Sequence, residues 1–355
     1  MSRVIGFATA VVLAAACSAS SPADEPKARR YWVCASNERS GDVTVIDGAD
    51  RRVITTIPVG KRPRGIHPSP DGKSLYVALS GSPILGPPKL DAKGRPIFPE
   101  ENPDKGDRSA DGIGVIDLKL KKFLRKLPAG SDPEEFAVSK DGKRLYASNE
   151  DVATASVVSV ADGRVEQVVR VKKEPEGVAL TPDGRSVYVT CETNGEVVVI
   201  DTKTNKAVAE IPVGGRPRTV AFSPDGSRAF IPSETAGTVS VVDTAAHKVL
   251  HAIKLPEGSR PMGTVMSADG ARLYVSTGRA GTVCVIDPAA GEVLQTIPVG
   301  KRPWGLGLSP DGKLLYVANG PSDDVSVVDV RAAKEIGRVN AGKGPWGVAV
   351  VPAPE

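Results

Sequence analysis

The sequence predicts an all-β chain: a seven-bladed β-propeller of four-stranded antiparallel blades, closed by pairing of its N- and C-terminal strands within one blade. Two observations predict it. First, one unit recurs. It reads Pro175-Glu176-Gly177-Val178-Ala179-Leu180, then Asp183-Gly184, a Tyr188-Val189 run, Val197-Val198-Val199-Ile200-Asp201 and Ile211-Pro212-Val213-Gly214, and it begins again at Pro63, Pro133, Pro217, Pro261, Pro303 and Pro345. The spacing is about 42 residues, a propeller-blade period. Second, the chain ends are complementary fragments. Tyr31-Trp32-Val33-Cys34 opens on a second strand, and the run from Pro345 to Val351 matches a first strand alone. Together they complete one blade, which removes the open sheet edges at which the ends could part.

Each unit holds four short apolar runs rich in Val, Ile, Leu and Tyr and bounded by Gly, Pro and Asp, the pattern of four strands. No segment has a helical period. Asp-Gly recurs at Asp71-Gly72, Asp141-Gly142, Asp183-Gly184, Asp225-Gly226, Asp269-Gly270 and Asp311-Gly312, where it supplies the positive φ of a tight turn between the first two strands. Those aspartates therefore read as turn chemistry, not as catalysts.

In chain order, residues 1–20 read as a secretory signal: Arg3 begins it, the apolar run from Val4 to Ala16 is too short to span a bilayer, and Ala14-Ala15-Ala16 offers a small-residue cleavage site. Leu13-Ala14-Ala15-Ala16-Cys17 resembles a bacterial lipobox with its Leu one residue too far upstream, so Cys17 is a candidate for lipidation. The expected location is periplasmic or secreted, with membrane attachment only through that lipid. Residues 21–30 read as a disordered leader and 31–355 as a single, monomeric propeller. An insertion at 80–112 lengthens the first full unit and is rich in Pro, Gly and mixed charge. Cys34, Cys191 and Cys284 fall in different, non-adjacent blades, which sets them too far apart to pair, and no Cys/His cluster suits zinc or covalent haem. The formal charge of +4 is spread along the chain, which permits anionic partners without demanding them.

The connections entering each first strand should share one face of the ring with the second-to-third loops and the insertion. Around that face come Arg62 and Arg64; Asp132, Glu134 and Glu135; Glu174 and Glu176; Arg216 and Arg218; Arg260 and Met262; Arg302 and Trp304; Lys343 and Trp346. The loops add Asn37, Glu38, Asn149, Glu150, Glu192, Glu234 and Asn319. Arginines beside indoles suit a carboxylate or phosphate ligand. The competing reading is structural, with the arginines bridging blades through nearby acids and Trp304 and Trp346 packing between sheets. His67 stands where the other units place Ala137, Ala179, Ala221, Val265, Gly307 and Ala349. It is either a polar or axial ligand in the channel or a satisfied structural histidine beneath the insertion.

The units resemble YVTN-type propeller repeats, through Tyr188-Val189-Thr190-Cys191, Tyr274-Val275-Ser276-Thr277 and Tyr316-Val317-Ala318-Asn319. Ser131-Asp132-Pro133-Glu134-Glu135-Phe136-Ala137 and the run from Asn319 to Val327 are similar to periplasmic propellers associated with PQQ-dependent alcohol catabolism, and more distantly to the haem d1 domain of nitrite reductases. The resemblance fixes a scaffold that hosts unrelated activities.

No Gly-x-Ser-x-Gly elbow, metal-ligand cluster, Cys/His pair or phosphate loop is present in the sequence. The leading expectation is thus a non-enzymatic binding or accessory protein. Arg62, Arg64, His67, Glu134, Glu176, Arg216, Arg218, Arg260, Arg302, Trp304 and Trp346 would engage a small anionic ligand or a periplasmic redox protein. No catalytic residue and no metal site is assigned, and any cofactor is left open. One alternative is a lactonase or lyase using His67 with Arg64 and Glu176 or Glu134, the kind of site that the propeller resemblance implies. The other is single-stranded DNA binding through Arg62, Arg216, Arg260 and Arg302 with Trp304 and Trp346 as stacking surfaces, against which the acidic arc from Asp132 to Glu176 works.

Overall fold

The structure, a computed structural model, describes residues 1, 30–84, 89–90, 96–97 and 106–354. The expected signal, the Cys17 lipidation site and nearly all of the leader lie outside those residues, as does the middle of the 80–112 insertion.

Seven four-stranded antiparallel sheets surround a central axis. Blade 1 begins at Ile66–Pro68, blade 2 at Phe136–Val138, blade 3 at Pro175–Leu180, blade 4 at Ala221–Phe222, blade 5 at Pro261–Met266 and blade 6 at Pro303–Leu308. In each of them the first strand is innermost and the other three follow outward in sequence order; in blade 1 a separate two-stranded ribbon, Lys89–Leu90 with Pro96–Ile97, comes between the second and third. Blade 7 is the composite one. Its inner strand is Pro345–Pro352 and its other three are Tyr31–Asn37, Asp42–Asp47 and Val53–Pro58. Trp32 faces Val351, Cys34 faces Ala349 and Ala35 faces Val348 across that junction, so the two chain ends close the ring as expected.

The core is divided among the seams. Seven clusters of buried side chains lie between neighbouring blades, for example Trp32, Val45, Ile66 and Leu75 between blades 7 and 1, and Tyr188, Ile211, Ala229 and Val242 between blades 3 and 4. Strand alternation sends every second residue of a blade into one seam and the rest into the other, so inner strands are apolar on both faces. Burial of each large side chain such as Tyr188 contributes about 1.5–3 kcal/mol.

The Asp-Gly turns form as turn chemistry, with a difference in detail. Only the glycine has positive φ, +68° at Gly72 and +78° at Gly184. The aspartate instead accepts from a hydroxyl two residues earlier and from the amide two residues later, as Asp71 does from Ser69 (2.6 Å) and Lys73 (3.1 Å). The same arrangement recurs at Asp141, Asp183, Asp225, Asp269 and Asp311. Cys34, Cys191 and Cys284 are buried and unpaired, and burial pushes each thiol up to about 12.

Candidate active site

The inner strands open with Pro-x-Gly in five units, and the geometry explains the glycine. A Cβ on Gly177 would stand 2.0 Å from the Arg218 carbonyl oxygen, on Gly263 2.4 Å from that of Trp304, and on Gly305 2.7 Å from that of Trp346. Each glycine lets the next blade's entering backbone pass close to the axis. A hydroxyl on the second strand then pins the same carbonyl: Ser36 to Arg64 (2.5 Å), Ser148 to Glu176 (2.9 Å), Thr190 to Arg218 (2.5 Å) and Ser276 to Trp304 (2.6 Å). The variable residue x is therefore held blade to blade, and the ring reads Arg64, Glu134, Glu176, Arg218, Met262, Trp304, Trp346. The residues preceding the prolines at Arg62, Asp132, Glu174, Arg216 and Arg302 adopt left-handed backbone, with φ between 47° and 53°.

Most arginines of this face are engaged with carboxylates. Arg62 meets Asp132 (3.2 Å), Glu38 (3.3 Å) and Glu134 (3.5 Å), while Arg64 meets Glu38 (2.8 Å) and Glu134. Across the axis Arg218 meets Glu176 (2.9 Å), Glu192 and Glu234, and Arg216 meets Glu192 and Glu234. Each cluster thus sets two guanidinium groups against three carboxyl groups, nearly all buried. In the second cluster burial opposes the Glu176 charge, but Arg218 and then Arg64 outweigh it and bring its pKa down to about 2. Glu192 goes the other way: burial, with Glu176 adding repulsion, raises it well above the usual carboxyl range in spite of Arg218. One proton is therefore kept between these two acids.

The remaining arc is aromatic. Trp304 and Trp346 stack with centroids 5.1 Å apart and planes 30° from parallel. Arg218 and Arg302 each hold a guanidinium carbon 5.3 Å from the Trp304 ring centre, and Arg64 covers Trp346 at 5.8 Å. The Trp346 Nε1 donor is buried and meets no acceptor among the described residues.

Behind the ring runs a channel of about 770 Å³, lined by Glu176, Arg218, Trp304 and Trp346 at one end and by Asp71, Gly72 and Lys140 at the other. Between them its wall is mostly aliphatic, with Ile66, Val178, Leu180, Val220, Leu306 and Val348. His67 and Glu135 enter this wall. His67 Nε2 lies 2.8 Å from Glu135 Oε1, which also accepts the Phe136 amide at 2.9 Å, and the imidazole stands edge-on to Phe136 with centroids 5.0 Å apart. A carboxylate can only accept, so Nε2 carries the hydrogen and Nδ1 keeps the free lone pair. Burial pulls the His67 pKa down, but the charge and hydrogen bond of Glu135 overcome it and leave it above its ordinary 6.5. The imidazole side chain is 42% exposed while Glu135 is 11% exposed, so the histidine faces the cavity and the acid supports it from behind.

Several expected site residues change role here. His67, Glu176, Arg218, Trp304 and Trp346 do converge on one cavity. Glu134 is fully buried as a counter-ion, and Arg62, Arg64 and Arg216 serve the ion clusters. Arg302 covers Trp304 from outside the channel lining, and Arg260 is half-buried and joins neither cluster. His67 is satisfied by Glu135 through Nε2 and packs against Phe136, and its ring also lines the channel. The partner missing from the expected site was Glu135, and the signal for it was in the sequence: Glu135 occupies the position held by Gly65, Gly177, Gly263, Gly305 and Gly347. Asp132, Glu134 and Glu150 bring carboxylate oxygens within 4.8 Å of one another. Arg62 and Arg64 already neutralise two of them.

A seven-bladed propeller with such a channel is the class of protein that fold and site define. Residues 174–350 match the family model described as Lactonase, 7-bladed beta-propeller. Among solved structures the chain is similar to a periplasmic gluconolactonase of Pseudomonas aeruginosa, with TM-score 0.70 and 22% identity, covering 92% of this chain and 100% of that one. It is also similar to hydrazine synthase of Kuenenia stuttgartiensis, with TM-score 0.67 and 21% identity over 82% of this chain and 95% of that one. Among curated proteins, antigen Lp49 of Leptospira interrogans is 33% identical over 140 residues, 34% of this chain, and the match spans only 31% of that protein's length. The family match corrects the expectation of a non-enzymatic binding or accessory protein. It points to a hydrolytic propeller, the reading first set second.

Proposed function

We propose that this protein is a lactonase that opens a cyclic ester with water inside the propeller channel. One observation carries the proposal: a part-exposed histidine, committed through Nε2 to a buried carboxylate, lines a cavity that also holds a guanidinium. The match of residues 174–350 to the lactonase family model supports the reaction class.

In this reading His67 Nδ1 takes a proton from a water as that water's oxygen bonds to the lactone carbonyl carbon. Glu135 holds the imidazole in the required tautomer and stabilises the cation that forms, the part an orienting carboxylate plays. Charge then develops on the carbonyl oxygen, and the Arg218 guanidinium and the Trp346 N–H are the donors suited to it. Collapse breaks the ring C–O bond, and the imidazolium returns its proton to the leaving alkoxide, giving a hydroxy acid. Arg218 is the arginine for this role because it lines the cavity, whereas Arg64 does not.

The amino-terminal signal reading supports a periplasmic or extracellular site for this activity. The YVTN and PQQ-associated resemblances are consistent with such a scaffold.

The test is proton release in a weakly buffered assay with a panel of lactones. His67→Ala should lower kcat/KM by about 10²–10⁴-fold, the usual worth of a positioned base. No turnover of any lactone by the unaltered protein would overturn the proposal, and so would full activity in His67→Ala.

A further inference from the structure

The channel and its charge balance narrow the substrate, given the lactonase reading. We infer that the substrate is an uncharged lactone carrying an aromatic or alkyl group, not a phosphorylated or heavily hydroxylated one.

The first argument is electrostatic. A phosphate needs a surplus of positive charge or donors free to turn toward it. Here Arg62 and Arg64 face Glu38, Asp132 and Glu134, and Arg216 and Arg218 face Glu176, Glu192 and Glu234. Even with Glu192 carrying its proton, the second cluster sums to no net charge. Arg218 is the one arginine of these clusters that lines the channel, and the ionised Glu176 lies 2.9 Å from its Nη1. An anion entering there would meet that carboxylate at close range.

The second argument is the wall. Beyond His67, Glu135, Glu176 and Arg218, and the Thr219 and Thr264 hydroxyls that bond to each other at 3.0 Å, the cavity wall presents Leu180, Val220, Leu306 and Val348, with both indoles at its mouth. A sugar lactone would lose water from several hydroxyls with few partners to replace it, and each unpaired polar group is costly. A flat or alkyl substituent instead gains from leaving water and from the face of the Trp304–Trp346 stack. A volume of about 770 Å³ is large for a bare lactone ring and within the range that encloses a substituted one.

The experiment compares kcat/KM of the purified full chain for dihydrocoumarin, δ-decalactone, glucono-δ-lactone and 6-phosphogluconolactone. The inference expects dihydrocoumarin or δ-decalactone to exceed both sugar lactones by about tenfold or more, a margin apolar pockets do deliver. It also expects Trp304→Ala to raise KM for dihydrocoumarin by about tenfold with kcat held, and Trp304→Phe to restore much of it. Preference for either sugar lactone overturns the inference and leaves the lactonase proposal standing. A preference for the phosphorylated one that disappears in Arg302→Ala would in addition move the ligand's charge to the outer rim. Failure to turn over any of the four overturns the inference together with the reaction class it rests on.

Discussion

From Arg64 through Arg218 the ring around the axis is charged, and from Met262 through Trp346 it is apolar, although one backbone plan holds both arcs. Thr190 pins the Arg218 carbonyl at 2.5 Å and Ser276 pins that of Trp304 at 2.6 Å, so the two side chains leave the backbone from equivalent anchors. Their surroundings then diverge. Arg218 is surrounded by Glu176, Glu192 and Glu234, while Trp304 has an indole on one side and guanidinium groups over its ring. Equivalent positions in a repeat need not share a role. The charged arc is largely paired within itself, fixes the blades and turns only Glu176 and Arg218 to the cavity, whereas the indole arc offers both of its rings there.

The largest expected effect tests the closed character of the charged arc. Arg218→Ala leaves the buried Glu176 without its ion partner and Arg216 alone against Glu192 and Glu234, and should cost about 3–5 kcal/mol in urea unfolding, as removal of one partner from a buried ion pair does. A variant as stable as the parent would show that the arc is not a scaffold. Next comes the His67–Glu135 pair at the inner wall. Because a Cβ on Gly65 would fall 2.2 Å from Glu135 Oε1, Gly65→Ala should displace the carboxylate and lower kcat/KM by about 10–100-fold while leaving the indole arc untouched.

The pH profile sharpens the same point. His67 is held above 6.5 by Glu135 against the pull of burial, so kcat/KM should rise with pH through a value higher than 6.5. In Glu135→Gln burial acts with no opposing charge, and that limb should move to lower pH. The linked stability has the opposite sense: the His67–Glu135 contribution is complete below the unfolded value of 6.5 and fades as pH climbs through the raised folded value. An unchanged limb in Glu135→Gln would separate the histidine from the titration. The smallest effect belongs to the indoles. Trp304→Leu keeps an apolar side chain and loses the stack, for about 1 kcal/mol of stability, so a loss as large as that of Arg218→Ala would erase the contrast between arcs.

The blade count, the four-stranded sheets and the composite seventh blade were legible because each depends on local periodicity and on complementary chain ends. Which arginines were free was not. Arg218 finds Glu192 and Glu234 from second-to-third loops of two blades, and nothing near Arg218 in sequence announces either. Arg62 and Glu38 meet where blade 7 passes to blade 1, 24 residues apart in sequence. Glu135 was legible in principle, since a carboxylate in a glycine slot must either clash or point into open space. The sequence sets Glu135 on the same face but gives the ring position to Glu134, and only the packing shows Glu134 sealed under Arg62 and Arg64.

The inner strand of blade 7 runs from the arginine-bearing face to Pro352, which pairs with Tyr31, and the Arg30 carbonyl accepts from Ala353 at 2.9 Å. Residues 30 and 354, the two ends of the described ring, therefore lie beside the Asp-Gly turns. A tether attached beside Arg30 or Pro354 would orient the molecule like a cup resting on its base, with the arginine and indole rim turned toward solution, a convenient handle for immobilising the protein on a sensor or resin.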